Sequence, residues 1–196
     1  MASVVLALWL GVAQAERPCV PPAALEPRAA ATLPLVDVAR QLERAAPSPC
    51  LENRVARSYV LGLLAAERAW RAGGSPESLV AVRARVNELD GLSSESSAAS
   101  LARVLLLAQM AAAQNETAEM TLLLEQAFAL ELRLRLSGTP WLPVVSVAEA
   151  AGDSWRRVYR YAEAEQAYLK VTPRSQGSRV ERALVEVRRA RGRSRR

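Results

Sequence analysis

The chain has 196 residues, 51% hydrophobic and 23% charged, a composition that folds and suffices for one sizeable core. With no histidine, two cysteines and three aspartates it excludes histidine acid–base chemistry and disfavours a zinc site. The net charge of +6 sits at one end, where nine arginines from Arg174 onward face only Glu181 and Glu186, leaving the body near neutral.

Residues Val4 to Val12 form a short apolar run, followed by Ala13-Gln14-Ala15 and then Glu16. A small-x-small triplet behind such a run fits a signal peptide over residues 1–15, although no Lys or Arg precedes it. The alternative is a buried N-terminal helix; the run is too short to span a bilayer, which takes roughly 20 apolar residues. Seven of the eleven prolines fall between Pro18 and Pro49, so residues 16–50 read as an extended arm. Its single short helix begins at Leu35, with Leu35, Val38 and Leu42 on one stripe. In an oxidising compartment Cys19 and Cys50 would pair and tie this arm to the first long helix; two unpaired buried thiols are the alternative.

Alanine, leucine, arginine and glutamate dominate the chain from Leu51 onward, and all four are strong helix formers. Leu51 to Ala72 reads as one helix stopped by Gly73-Gly74. Ser75-Pro76-Glu77 supplies a cap, a first-turn proline and an acid for the next helix, expected to end at Asp90-Gly91. The serines from Ser93 to Ser97 cap a third helix, from Ala98 to Gln114, apolar nearly all round and therefore expected inside. Asn115-Glu116-Thr117 breaks and restarts the chain into a helix reaching Leu136. Its last part, from Leu130, alternates like a strand, but Glu131 with Arg135 at i,i+4 and the absence of β-branched residues favour helix. Asn115-Glu116-Thr117 also fits a glycosylation acceptor, but a helix restart explains it without one.

The turns at Gly73-Gly74, Asn115 and Arg160 lie 41 to 45 residues apart, each between two helical stretches. That recurrence marks an α-solenoid of stacked hairpins over residues 51–173. The clearest unit runs from Ala151 to Val171, where Gly152 and Trp155 sit on a first helix and Tyr161, Ala164, Ala167, Tyr168 and Val171 on a second. This unit resembles a tetratricopeptide repeat (TPR). The resemblance implies an all-α fold of TPR-like hairpins that binds a peptide or protein along a concave face, and it carries over no catalytic residue. Tyr159 stands where the family commonly has a turn glycine, and Pro173 comes early for its closing proline. Leu61-Gly62 with Ala65 and Ala69 echoes the first helix of the unit.

Residues 174–196 begin with Val180, Leu184 and Val187 at helical spacing, which reads as a capping helix. Arg188, Arg189, Arg191, Arg193, Arg195 and Arg196 are a candidate anion-binding set for lipopolysaccharide, membrane lipid or nucleic acid, or else a solvated basic face. Nucleic acid is the least favoured, because the tail has no aromatic residue for base stacking. Trp70, Trp141 and Trp155 are candidates for a groove or for core. Glu119, Glu125, Glu131, Glu149, Glu163 and Glu165 fall in helices among arginines, the pattern of solvated helix faces. The sequence thus leads to a periplasmic or secreted, non-enzymatic interaction scaffold with no cofactor, no metal site and no transmembrane segment in the mature chain. Its partner is a protein or peptide, with an anionic envelope component as the alternative.

Overall fold

The computed structural model describes residues 33–138, 145–171 and 178–193. Residues 1–15, Cys19, Trp141, Arg195 and Arg196 lie outside them. The described residues are all-α: eight helices and no strand. They are α1 (Leu35–Arg44), α2 (Leu51–Arg71), α3 (Val80–Leu92), α4 (Ser97–Ala113), α5 (Thr117–Leu136), α6 (Val147–Arg157), α7 (Tyr161–Leu169) and α8 (Ser178–Arg193).

Capping explains most of these boundaries. Ser96 and Ser146 are N-caps of α4 and α6, their hydroxyls accepting from the N–H groups of Ala99 and Glu149. At the other end, α2, α4 and α6 close in one way. The N–H of Gly74 donates to Ala69 O at 2.9 Å, that of Glu116 to Ala111 O at 2.8 Å, and that of Arg160 to Trp155 O at 2.9 Å. Before each donor stands a residue with left-handed backbone: Gly73 at φ 84°, Asn115 at 61° and Tyr159 at 62°. This is the Schellman closure, which satisfies carbonyls left over at a helix end.

After the second and third turns the next helix begins at once, from Glu116 at φ −84°, ψ 71° and from Arg160 at φ −84°, ψ 70°. After the first it does not, because Gly74 is also left-handed, at φ 68°. The chain there makes a turn held by Ser75, whose carbonyl accepts from Leu79 N–H at 3.2 Å, and α3 starts at Val80 rather than at Pro76. At its far end α3 runs through Asp90-Gly91 to Leu92, because Leu89 and Leu92 share its buried face. The alternating segment from Leu130 is helix, with Arg135 Nη2 on Glu131 Oε1 at 2.9 Å.

Helix α4 lies inside, against α2, α3, α5 and α6. Leu101, Leu105 and Leu106 are sealed from solvent, each contributing about 1.5–3 kcal/mol by leaving water. Two glycines permit close approach. A Cβ on Gly62 of α2 would lie 2.3 Å from Leu106 Cδ1, and one on Gly152 of α6 would lie 2.5 Å from the Tyr168 ring of α7. At the end of the row α8 covers α7, burying Val180 and Val187 fully and Leu184 in part beside Ala148, Ala164 and Val171.

Cys50 is disulfide-bonded, and Cys19, its expected partner, lies outside the described residues. Packing also fastens the described part of the arm. Val38, Ala39 and Leu42 of α1 sink against Val60 and Leu61 of α2, and Arg57 Nη1 donates to Ala45 O at 3.0 Å. Cys50 is the N-cap of α2, its N–H donating to Ser48 Oγ at 3.2 Å.

Candidate functional site

The hairpin α6–α7 brings the repeat residues together. Ala164 and Tyr168 are sealed, Ala167 and Val171 are buried, and Trp155 and Tyr161 pack at the edge half-buried. Gly152 admits the Tyr168 ring, whose hydroxyl then donates to Asp153 Oδ1 at 2.5 Å. Burial first, and then the Asp153 charge, raise that phenol far above its ordinary range.

The candidate anion-binding arginines divide. Arg188 Nε and Arg191 Nη1 each donate to Glu165 of α7 at 2.8 Å, so these two hold α8 against the hairpin. Arg189 and Arg193 are exposed. The described tryptophans are half-buried, and Trp70 lines a cavity of about 270 Å³ with Arg156, Tyr159 and Tyr161. Trp70 donates its indole N–H to Arg157 O at 3.2 Å and carries the Arg156 guanidinium over its ring at 5.8 Å. Arg160 lies over Trp155 in the same way, at 5.9 Å.

A cleft that the spacing of residues gave no sign of is the most developed site. Helices α2, α6 and α8, with the start of α1, enclose a cavity of about 510 Å³. Glu67 of α2 and Arg157 of α6 meet across 90 residues of chain at 2.8 Å, both largely buried. Burial opposes the Glu67 charge, but Arg157, with Arg156 and Arg71 behind it, holds that carboxyl below the usual carboxylate range. On the other wall Glu149 is only 3% exposed and paired with Arg179 of α8, which corrects the expectation that it lies on a solvated face. Burial pushes the Glu149 carboxyl up, and the bond and charge of Arg179 offset this only in part.

Between them stands Arg156, with Glu67, Asp153 and Glu186 each 3.8 Å away. Those separations give attraction without a hydrogen bond. Arg156 Nε and Arg157 Nε and Nη1 are buried and have no hydrogen-bond partner among the described residues. A guanidinium carries five N–H donors, and an unmet buried donor costs about 1–3 kcal/mol. These three donors are sealed from water, and of the two arginines it is Arg156, its side chain 23% exposed against 3% for Arg157, that reaches the open cleft.

Among the described residues no cluster of three or more His, Cys, Asp or Glu is placed to hold a metal ion, and no helix is long and apolar enough to cross a membrane. Comparison with protein-family models, with curated proteins and with solved structures gave no match.

Proposed function

We propose that this protein is a non-enzymatic, exported scaffold of TPR-like hairpins that holds a segment of a partner protein in the cleft between α2, α6 and α8. The observation that carries the reading is the cleft itself, a cavity of about 510 Å³ lined by six arginines and four carboxylates. Pockets with a few convergent polar groups are the default binding sites of a fold. The hairpin assignment draws support from the matching backbone at Asn115-Glu116 and Tyr159-Arg160. It also draws on the order of packing, in which α2, α4 and α6 lie in succession and α8 closes the end. Export rests on the apolar run and the Ala13-Gln14-Ala15 triplet.

The test is capture of a partner by the purified chain from the envelope or medium of the producing cell. Charge reversal at Arg156 should abolish capture while charge reversal at Arg133, on the exposed face of α5, leaves it intact. Equal capture by both variants would overturn the reading. The second reading, an anionic-surface binder acting through α8, draws on exposed Arg189 and Arg193. Engagement of Arg188 and Arg191 with Glu165 weighs against it. Retention on heparin or anionic vesicles at modest salt, lost in an R189A/R193A variant, would favour it.

A further inference from the structure

The scaffold reading leaves the chemistry of the partner open, and the character of the cleft narrows it, provided that reading holds. Six arginines and four carboxylates line the cleft, an excess of two positive charges. Arg157 is sealed against Glu67, which leaves Arg156 as the one guanidinium of the two that the cleft partly exposes. Arg156 has three carboxylates at 3.8 Å, beyond hydrogen-bond reach, and a side chain 23% exposed. A planar guanidinium fork matches a carboxylate in shape and charge. The four resident acids would repel a dense polyanion, whereas an excess of two charges suits a ligand bearing one or two carboxylates. The rim beside them is apolar, formed by Leu35, Val36 and Leu64.

We infer that the cleft receives an acidic peptide, one carboxylate docking on the exposed part of the Arg156 guanidinium while an apolar neighbour rests on Leu35, Val36 and Leu64. Glu186, which is 66% exposed and faces Arg156, competes with the incoming carboxylate for the same guanidinium.

The experiment uses the full chain and a fluorescent, C-terminally amidated eight-residue peptide with two glutamates among leucines and serines, and a counterpart in which both glutamates are glutamine. The glutamate peptide should bind at least about tenfold more tightly than the glutamine one, with affinity falling as salt rises. Arg156→Gln should weaken it about tenfold, and Glu186→Gln should tighten it about threefold, with folding checked by circular dichroism. The opposite signs matter, because general damage to the cleft would weaken binding in both variants. Absence of binding by the glutamate peptide at millimolar concentration, or equal binding of the two peptides, overturns the inference. So does Arg156-dependent binding of heparin or anionic vesicles in place of the peptide. If the peptides bind equally and Val36→Trp, which fills the cleft mouth, abolishes both, the scaffold reading stands without the acidic partner. If Val36→Trp also changes nothing, both readings fall.

Discussion

Tyr159 holds the same left-handed backbone as Asn115, φ 62° against 61°, at the equivalent place in the next hairpin turn. Each is followed by a residue at φ −84° that starts a new helix. Asparagine tolerates this conformation because its short amide bonds locally, and glycine adopts it freely, whereas tyrosine is strained there. The ring gives little in return, being 67% exposed with one edge-on contact to Tyr161 at 6.3 Å.

Tyr159→Gly should therefore stabilise the protein, by about 0.5–1 kcal/mol, while Asn115→Gly should be near neutral. Gly74→Ala should do the reverse, losing more than about 2 kcal/mol, because its Cβ would lie 2.0 Å from Ala113 O. Thermal unfolding of the three variants checks the order. A destabilised Tyr159→Gly would mean that the ring has a role at the surface.

The two close-approach glycines should differ in tolerance. Gly152→Ala drives a methyl into the Tyr168 ring, which is sealed and tethered through its hydroxyl to Asp153. Gly62→Ala meets the end of the Leu106 side chain, which has rotamers to try. The expected costs are about 2–3 kcal/mol and about 1–2 kcal/mol, read from urea midpoints. Equal costs would show that Leu106 is as fixed as Tyr168.

Gln109 is sealed inside α4, where Nε2 donates to Ala150 O and to Ser154 Oγ, both at 2.8 Å, while Oε1 has no partner among the described residues. Ser154 keeps its own bond to Ala150 O at 2.9 Å without it. Gln109→Met fills the same volume and removes the orphan acceptor, so it should change stability by less than about 1 kcal/mol. Gln109→Ala leaves a cavity and should cost about 2–4 kcal/mol. A large loss in the methionine variant would show the amide to be a fixed tie between α4 and α6.

Acid should reveal the Glu67–Arg157 pair. Because the Glu67 carboxyl is held below its usual range, about pH 4, the folded state prefers its charged form. The stability it contributes is present above that range and fades as pH falls through the lowered value, where Glu67 takes a proton. At pH 7 Glu67→Gln should cost about 2–4 kcal/mol, since Arg157 stays buried with a weaker partner. Melting profiles from about pH 7 to about pH 2 should then converge for the two proteins at the acid end. A gap that does not close in acid would show the pair to be uncoupled from folding. Glu149, raised by burial, acts with the opposite sign: its contribution is full below the usual carboxylate range and declines as pH rises through its raised value.

Much of the fold was legible because helices are local objects. The serines before Ala99, the glycine pair and Asn115 marked ends that depend only on neighbouring backbone. The continuous apolar surface of α4 told of its central place, and Val180 and Val187 of the cap at the far end. Where local reading erred, at Pro76 and Gly91, burial of Leu79 and Leu92 and a second left-handed glycine moved the boundary.

The site was far less legible. Nothing in the sequence separates Glu149, sealed against Arg179, from Glu125, which is exposed, since both stand in helices among arginines. Nor does the arginine-rich tail announce that Arg188 and Arg191 are taken by Glu165 while Arg189 and Arg193 remain in solvent. By itself the sequence determined which stretches are helices and where most of them end, because capping and periodicity act over a few residues. Only the tertiary structure decided that Glu67 meets Arg157 across 90 positions and that donors on Arg156 and Arg157 go unused. Pairing of charges at that range follows from how hairpins lie against one another. That arrangement is a sum of many weak contacts, and no short motif encodes it.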